Sequence, residues 1–149
     1  MNPVNPVIIL LFLRLFVGGV FVYAGAIKAW NPSLFSVDVQ IYRLLPFSLA
    51  VATAIYLPWL EIICGVCLAI KKLHSGALSI LLGLMLVFTV AITSAWARGL
   101  DISCGCFGGG GERVHYHWVV LRDLVLLGLL IILTLAEFKA NKRMADLLA

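Results

Sequence analysis

Four cysteines fall in two close-spaced pairs, Cys64/Cys67 and Cys104/Cys106. An even number of cysteines at short spacing suits redox pairs or metal ligands. In the run Asp101-Ile-Ser-Cys-Gly-Cys-Phe-Gly-Gly-Gly-Gly a single glycine separates Cys104 from Cys106. A disulfide there closes a very small ring, and strained or exposed disulfides are the more oxidising ones. Gly105 supplies the backbone freedom such a ring needs, and Gly108 to Gly111 make the next stretch pliable. These features predict a loop that presents its sulfurs to a partner. Cys64 and Cys67 stand at i and i+3, on one face of a helix. As a redox pair they would pass electrons inward to a membrane quinone; as small apolar residues they would simply pack helices. His115 and His117 follow the loop. With Cys104 and Cys106 they could complete a tetrahedral metal site. Their alternative is an interfacial role beside Tyr116 and Trp118, which read as an aromatic belt.

Charged side chains inside apolar runs are the second chemical signal. Arg14, Glu61, Arg122 and Asp123 all interrupt hydrophobic segments. Charges at membrane depth usually find partners and mark functional positions. Helix rise, at about 1.5 Å per residue, sets Arg14 and Glu61 at similar depths and predicts an ion pair between them. Pro58 lies one turn before Glu61 and predicts a kink that opens space near Trp59 and Glu61. Arg14, Trp59 and Glu61 are therefore the candidates for quinone or proton handling, with helix locking as the plainer role of the ion pair.

The elements that position these residues are apolar helices. Hydrophobic residues make up 63% of the chain and charged residues only 12%, against about 45–50% and about 25% in soluble domains. Four segments reach the roughly 20 apolar residues that a bilayer span requires: 7–27, 47–70, 75–97 and 118–136. The segment from Asn31 to Pro46 is too short and too polar for that. Asn31 suits a helix cap and Pro32 a first helical position. Ser33, Ser36, Gln40 and Arg43 then recur on one face, with Leu34, Val37, Ile41 and Leu45 on another. This pattern predicts an amphipathic helix in the membrane interface. The fold class expected is all-α: a single polytopic four-helix membrane bundle over 1–149 with one interfacial helix. Ala24-Gly25-Ala26 resembles a signal-peptide cleavage site, but Met1 to Pro6 carries no basic residue and Arg14 breaks the apolar run, so the first span is expected to be retained.

Four spans place both termini on one side. That side holds Lys71, Lys72, Lys139, Lys142 and Arg143; the other holds Lys28, Arg43, Arg98 and Arg113. Lys and Arg favour the cytoplasm, which puts Cys104 and Cys106 on the outer face, where disulfides persist. The net charge of +4 is spread among loops and tail. It suits anionic lipid, and no basic cluster points to nucleic acid.

Taken together, several motifs resemble the MauE family, within the broader DoxX-like group of four-helix membrane proteins. They run from Leu13-Arg14-Leu15-Phe16, Tyr23-Ala24-Gly25 and Lys28 through Asn31-Pro32 and Tyr42-Arg43-Leu44-Leu45-Pro46. Leu57-Pro58-Trp59-Leu60-Glu61, Gly65, Arg98-Gly99-Leu100-Asp101, Cys104-Gly105-Cys106-Phe107-Gly108 and Arg122-Asp123 complete them. The Cys-Gly-Cys-Phe-Gly run is the most specific. The resemblance implies a multi-pass protein of the bacterial inner membrane tied to thiol–disulfide chemistry. It further implies a setting in methylamine utilisation, where a disulfide-rich dehydrogenase subunit must mature, and a thioredoxin-like periplasmic partner. The Cys64/Cys67 pair is not part of the common pattern. The expected function is membrane thiol–disulfide exchange, as a thiol–disulfide oxidoreductase. Catalysis would fall to Cys104 and Cys106, with Cys64 and Cys67 as the inner catalytic pair, quinone would be the candidate cofactor, and the partner would be a disulfide-bearing client or a thioredoxin-like protein. The competing readings are a metal-binding or transport protein and a non-catalytic assembly subunit of a redox complex.

Overall fold

A computed structural model describes the backbone over residues 6–70, 73–99 and 116–148, and side chains over 8–70, 73–99 and 118–139. The described chain forms α1 (Pro6–Trp30), α2 (Pro32–Ile41), α3 (Phe47–Ala69), α4 (His74–Ala97) and α5 (Tyr116–Leu148), with no strand among the described residues. Long runs of Leu, Ile, Val and Phe uninterrupted by turn signals satisfy every backbone group within the helix, which is what a bilayer demands. Helices α1, α3, α4 and α5 are each long and apolar enough to cross a membrane. The expected four-span, all-α architecture is what the chain adopts, and the protein is a multi-pass membrane protein.

The outside of the bundle confirms the solvent. Phe12, Phe16, Phe47, Val87 and Val90 all lie more than half exposed. Apolar side chains in such number over every long helix suit lipid, since soluble monomers keep exposed apolar patches small. Inside, Val17 and Phe21 of α1, Leu68 of α3, Leu78, Leu81 and Met85 of α4, and Leu130 and Leu133 of α5 form the main core.

The α1–α3 seam is the closest approach. A Cβ added at Gly18 would stand 2.7 Å from the Gly65 carbonyl oxygen, and one at Gly25 would stand 2.7 Å from the Pro58 oxygen. Small residues let antiparallel backbones meet in this way, the packing mode that serves membranes best. The turn around Pro58 has space near both residues, but divided: Trp59 borders an open groove on the outer face of α3 and Glu61 a small interior cavity. The turn itself is buried against Gly25, while Trp59 points away, 58% exposed.

Helix α2 forms where the amphipathic pattern predicts, with Pro32 in its first turn, but Asn31 makes no side-chain capping bond. Its bundle-facing residues are Phe35 and Val39, continued by Tyr42. Leu34 and Val37 face outward. The helix thus has two apolar faces, one for the bundle and one for lipid. The Arg98 guanidinium donates to the Tyr42 carbonyl at 2.7 Å and to the Ser94 carbonyl at 3.1 Å, tying the end of α4 to the end of α2. Gly99 follows at φ 63°, the left-handed position that closes helices and favours glycine. The chain leaves α4 and enters α5 at the same end of the bundle as α2, here called the loop side; the opposite end is the terminus side.

Candidate functional site

Two sets of charged groups lie inside the bundle, and neither is the Arg14–Glu61 pair that helix rise predicts. On the loop side, the Lys28 ammonium donates to both Glu61 carboxylate oxygens, at 2.7 and 2.8 Å, with both side chains almost wholly buried. On the terminus side, Arg14 pairs with Glu137, and the other Glu137 oxygen lies 2.8 Å from His74 Nε2.

The correction has a geometric cause. Gly18 faces Gly65 and Gly25 faces Pro58, a register that sets Arg14 opposite Ala69 and Glu61 opposite Val22. Helical side chains also lean toward their own N-terminus. Since α1 and α3 are antiparallel, Arg14 leans to the terminus side and Glu61 to the loop side, so the two diverge. Lys28 leans back along α1 and converges on Glu61. Counting Cα depths from predicted ends left out both the register and the lean. Lys28 reads as a loop charge in sequence, and Glu137 falls one residue beyond the predicted fourth span. The signal that could have found them is continuity: both sit in apolar surroundings that extend their helices.

Lys28 is the junction of the molecule. Its nitrogen lies 5.4 Å from the Phe35 ring centroid and 4.8 Å from that of Phe88, within cation–π range. Asp123, buried on α5, is within electrostatic reach of it and accepts from Arg122 at 2.8 and 3.1 Å. One ammonium on α1 thus engages residues from the other four helices. Lys28, Glu61, Arg122 and Asp123 balance to zero charge around a small cavity of about 30 Å³, which Phe21 and Phe88 also line. That is room for about one water.

The Arg14 site is less complete. Its Nε has no hydrogen-bond partner among the described residues, although the side chain is only 9% exposed. Glu137→Ala should strand this cation and leave His74 without its carboxylate. The loss of unfolding free energy in detergent should fall below the about 3–5 kcal/mol of a fully buried pair, because Glu137 is 20% exposed. A Glu137→Ala protein as stable as the parent in a denaturant titration would remove the pair from the account of the fold.

The remaining predicted residues do not converge on one place. Arg14, Trp59 and Glu61 occupy the terminus side, the outer face of α3 and the bundle interior respectively. Cys64 is buried in the main core, and Cys67 packs against it as a partly buried neighbour; the two thiols are not joined. Cys104, Cys106 and His115 lie outside the described residues, as does the side chain of His117. Among the described residues no group of three His, Cys, Asp or Glu side chains could hold a metal ion.

Comparison with known proteins gives the relationship. The family model described as "Methylamine utilisation protein MauE" matches residues 6–136. A Methylamine utilization protein MauE of Methylophilus methylotrophus is 35% identical over 132 residues, 86% of this chain and 68% of that protein. One of Paracoccus denitrificans is 34% identical over 118 residues, 78% of this chain and 63% of that protein. The chain thus spans about two thirds of the length of these relatives. No solved structure matches. The match takes in three whole spans and most of the fourth, the buried Lys28–Glu61 pair, the part-buried Arg122–Asp123 pair and the Cys104-Gly105-Cys106 segment, and on it the chain belongs to the MauE family.

Proposed function

We propose that this protein exchanges disulfides at the loop side of the bundle through Cys104 and Cys106, in support of the oxidative maturation of proteins used in methylamine metabolism. The observation that carries the reading is the placement of the two cysteine pairs. Cys64 is sealed in the helical core, where a partner thiol has no access. Cys104 and Cys106, with one residue between them, fall in the sequence between the end of α4 and the start of α5. The names of the relatives supply the metabolic setting.

The exchange proceeds in balanced steps. A thiolate of a thioredoxin-like partner or client attacks one sulfur of the Cys104–Cys106 disulfide. That S–S bond breaks, the leaving sulfur takes up a proton, and a mixed disulfide forms. The partner's second thiolate attacks its own sulfur in the mixed disulfide and releases the loop cysteine. The partner ends oxidised and the loop ends as a dithiol holding two electrons and two protons. An acceptor of the quinone class then re-forms the loop disulfide.

The loop side faces the periplasm, and the termini lie in the cytoplasm of the inner membrane. Support comes from the fate of the loop-side cations. Lys28 is buried in an ion pair with Glu61, whereas Arg98 donates to the Tyr42 carbonyl and stays exposed. With Lys28 neutralised, the loop side keeps exposed Arg43 and Arg98 among the described residues, fewer than Lys71, Lys72, Lys139, Lys142 and Arg143 of the terminus side, and the excess of Lys and Arg favours the cytoplasm.

The experiment is thiol mapping by mass spectrometry on the purified protein, with impermeant labelling in intact cells. Cys104 and Cys106 should cycle between joined and free states and label from outside. Cys106→Ser removes the loop disulfide and should stop client maturation, whereas Cys64→Ala and Cys67→Ala should leave turnover near the parent level. Maturation at full rate in Cys106→Ser would refute the reading. Stoichiometric metal on the purified protein, lost in His117→Ala, would favour the metal-binding alternative instead.

A further inference from the structure

Two cavities meet at Phe88. One is the charged cavity around Lys28 and Glu61. The other, of about 200 Å³, is an almost wholly apolar groove between α2, α3 and α4. Tyr42, Leu57, Phe88 and Ala91 line it. Leu44 and Val87 also border it and are 51% and 68% exposed, so the groove opens where the helices face lipid.

We infer that this groove is a binding site for the ring of a prenylquinone, with the tail running out past Leu44 and Val87 into the bilayer. The inference rests on the redox reading of Cys104 and Cys106, and it names where their electron acceptor sits. Three features select this occupant over an ordinary acyl chain. Aromatic Tyr42 and Phe88 line the groove, and stacking against Tyr42 suits a flat ring that takes the place of Phe88. The volume lies below the about 300–1,000 Å³ that encloses a drug-sized ligand, so it takes one ring and leaves the tail to the lipid. Behind Phe88 stands the Lys28 ammonium with three donors, two of them on Glu61 and a third that Glu61 does not take, the nitrogen lying 5.4 and 4.8 Å from the Phe35 and Phe88 ring centroids. A carbonyl-bearing ring that displaces Phe88 gains that donor, whereas an acyl chain gains nothing from it. Trp59, the residue the sequence offers for this role, lies on the far face of α3 and does not border the groove.

The redox step balances without another reagent. The Cys104/Cys106 dithiol gives up two electrons and two protons and becomes a disulfide, and the quinone becomes a quinol. The groove lies on the loop side, at the end of the bundle where that segment is attached.

The test uses the full chain in lipid nanodiscs and a short-tailed benzoquinone, decylubiquinone, with binding read by equilibrium titration. Saturable binding at one quinone per chain is expected. Val87→Trp, an outward-facing substitution that fills the mouth, should weaken it at least ten-fold, and Ala91→Leu, a smaller change deeper in, should weaken it as well. Both variants should keep the parent unfolding midpoint. Binding that is absent, unchanged in both variants, or abolished equally by a phospholipid chain without a quinone ring would overturn the inference. The Cys104→Ser/Cys106→Ser protein separates this outcome from the function itself: it cannot exchange disulfides but should bind quinone as the parent does, and loss of binding there would also overturn the groove assignment.

Discussion

Glu61→Leu is expected to destabilise the bundle by about 3–5 kcal/mol, the typical result of removing one partner from a buried ion pair. The two side chains are only 2% and 3% exposed, so solvent cannot take over the role of the carboxylate. Without Glu61 the four-charge cluster carries one net positive charge at membrane depth. Asp123 is then the only anion left there among the described residues that faces Lys28, and it already accepts from Arg122. That residual attraction holds the loss toward the lower end of the range. Glu61→Gln should behave similarly, because the amide oxygen accepts one hydrogen bond but brings no charge. The informative variant is Lys28→Met/Glu61→Leu. Replacing both members of a buried pair by apolar groups is often neutral, so the double variant should recover most of the stability. Unfolding in mixed micelles measures all three. A Glu61→Leu protein as stable as the parent, or a double variant no better than the single one, would show that the pair does not hold the helices. If the double variant folds normally but client maturation falls, the pair also serves the chemistry, which a purely structural role does not predict.

Gly65→Val should be at least as damaging, through sterics instead of charge. The Gly65 Cβ position lies 2.8 Å from the Gly18 carbonyl oxygen and 3.1 Å from the Val22 amide nitrogen. Both are backbone atoms of a helix and cannot swing aside. Overpacking of this kind typically costs about 1–3 kcal/mol, and here the separation of α1 from α3 would also pull Lys28 away from Glu61. The two losses should add, so that Gly65→Val exceeds either alone and lowers the yield of folded protein from membranes. Gly83→Val is the control, since nothing stands within 4 Å of its Cβ position; it should be nearly silent. Equal behaviour of the two variants in an unfolding titration would rule out close α1–α3 contact.

The positions that sequence reading missed share a cause. Arg14, Glu61, Arg122 and Asp123 are visible as charges in apolar runs, and the expectation that they find partners holds. The partners themselves do not follow from depth. Lys28 lies past the predicted end of the first span and Glu137 past the end of the fourth, so each reads as a loop charge. Only the helix ends the structure sets, Trp30 for α1 and Leu148 for α5, bring them inside. Helix α2 shows the same division. Its helical period is legible from Ser33 to Arg43, but period alone cannot say which apolar stripe, Phe35/Val39 or Leu34/Val37, meets protein and which meets lipid, because both media are equally apolar.

Composition and run length alone determined that the chain has four membrane-spanning helices, since so many apolar residues call for lipid and runs of about 20 of them match a helix crossing the bilayer. Residue type and spacing likewise singled out Cys104 and Cys106. Tertiary structure decided which charge meets which. That choice depends on the Gly18–Gly65 register and on side chains leaning toward opposite ends in antiparallel helices, and neither is written in any single segment of the chain.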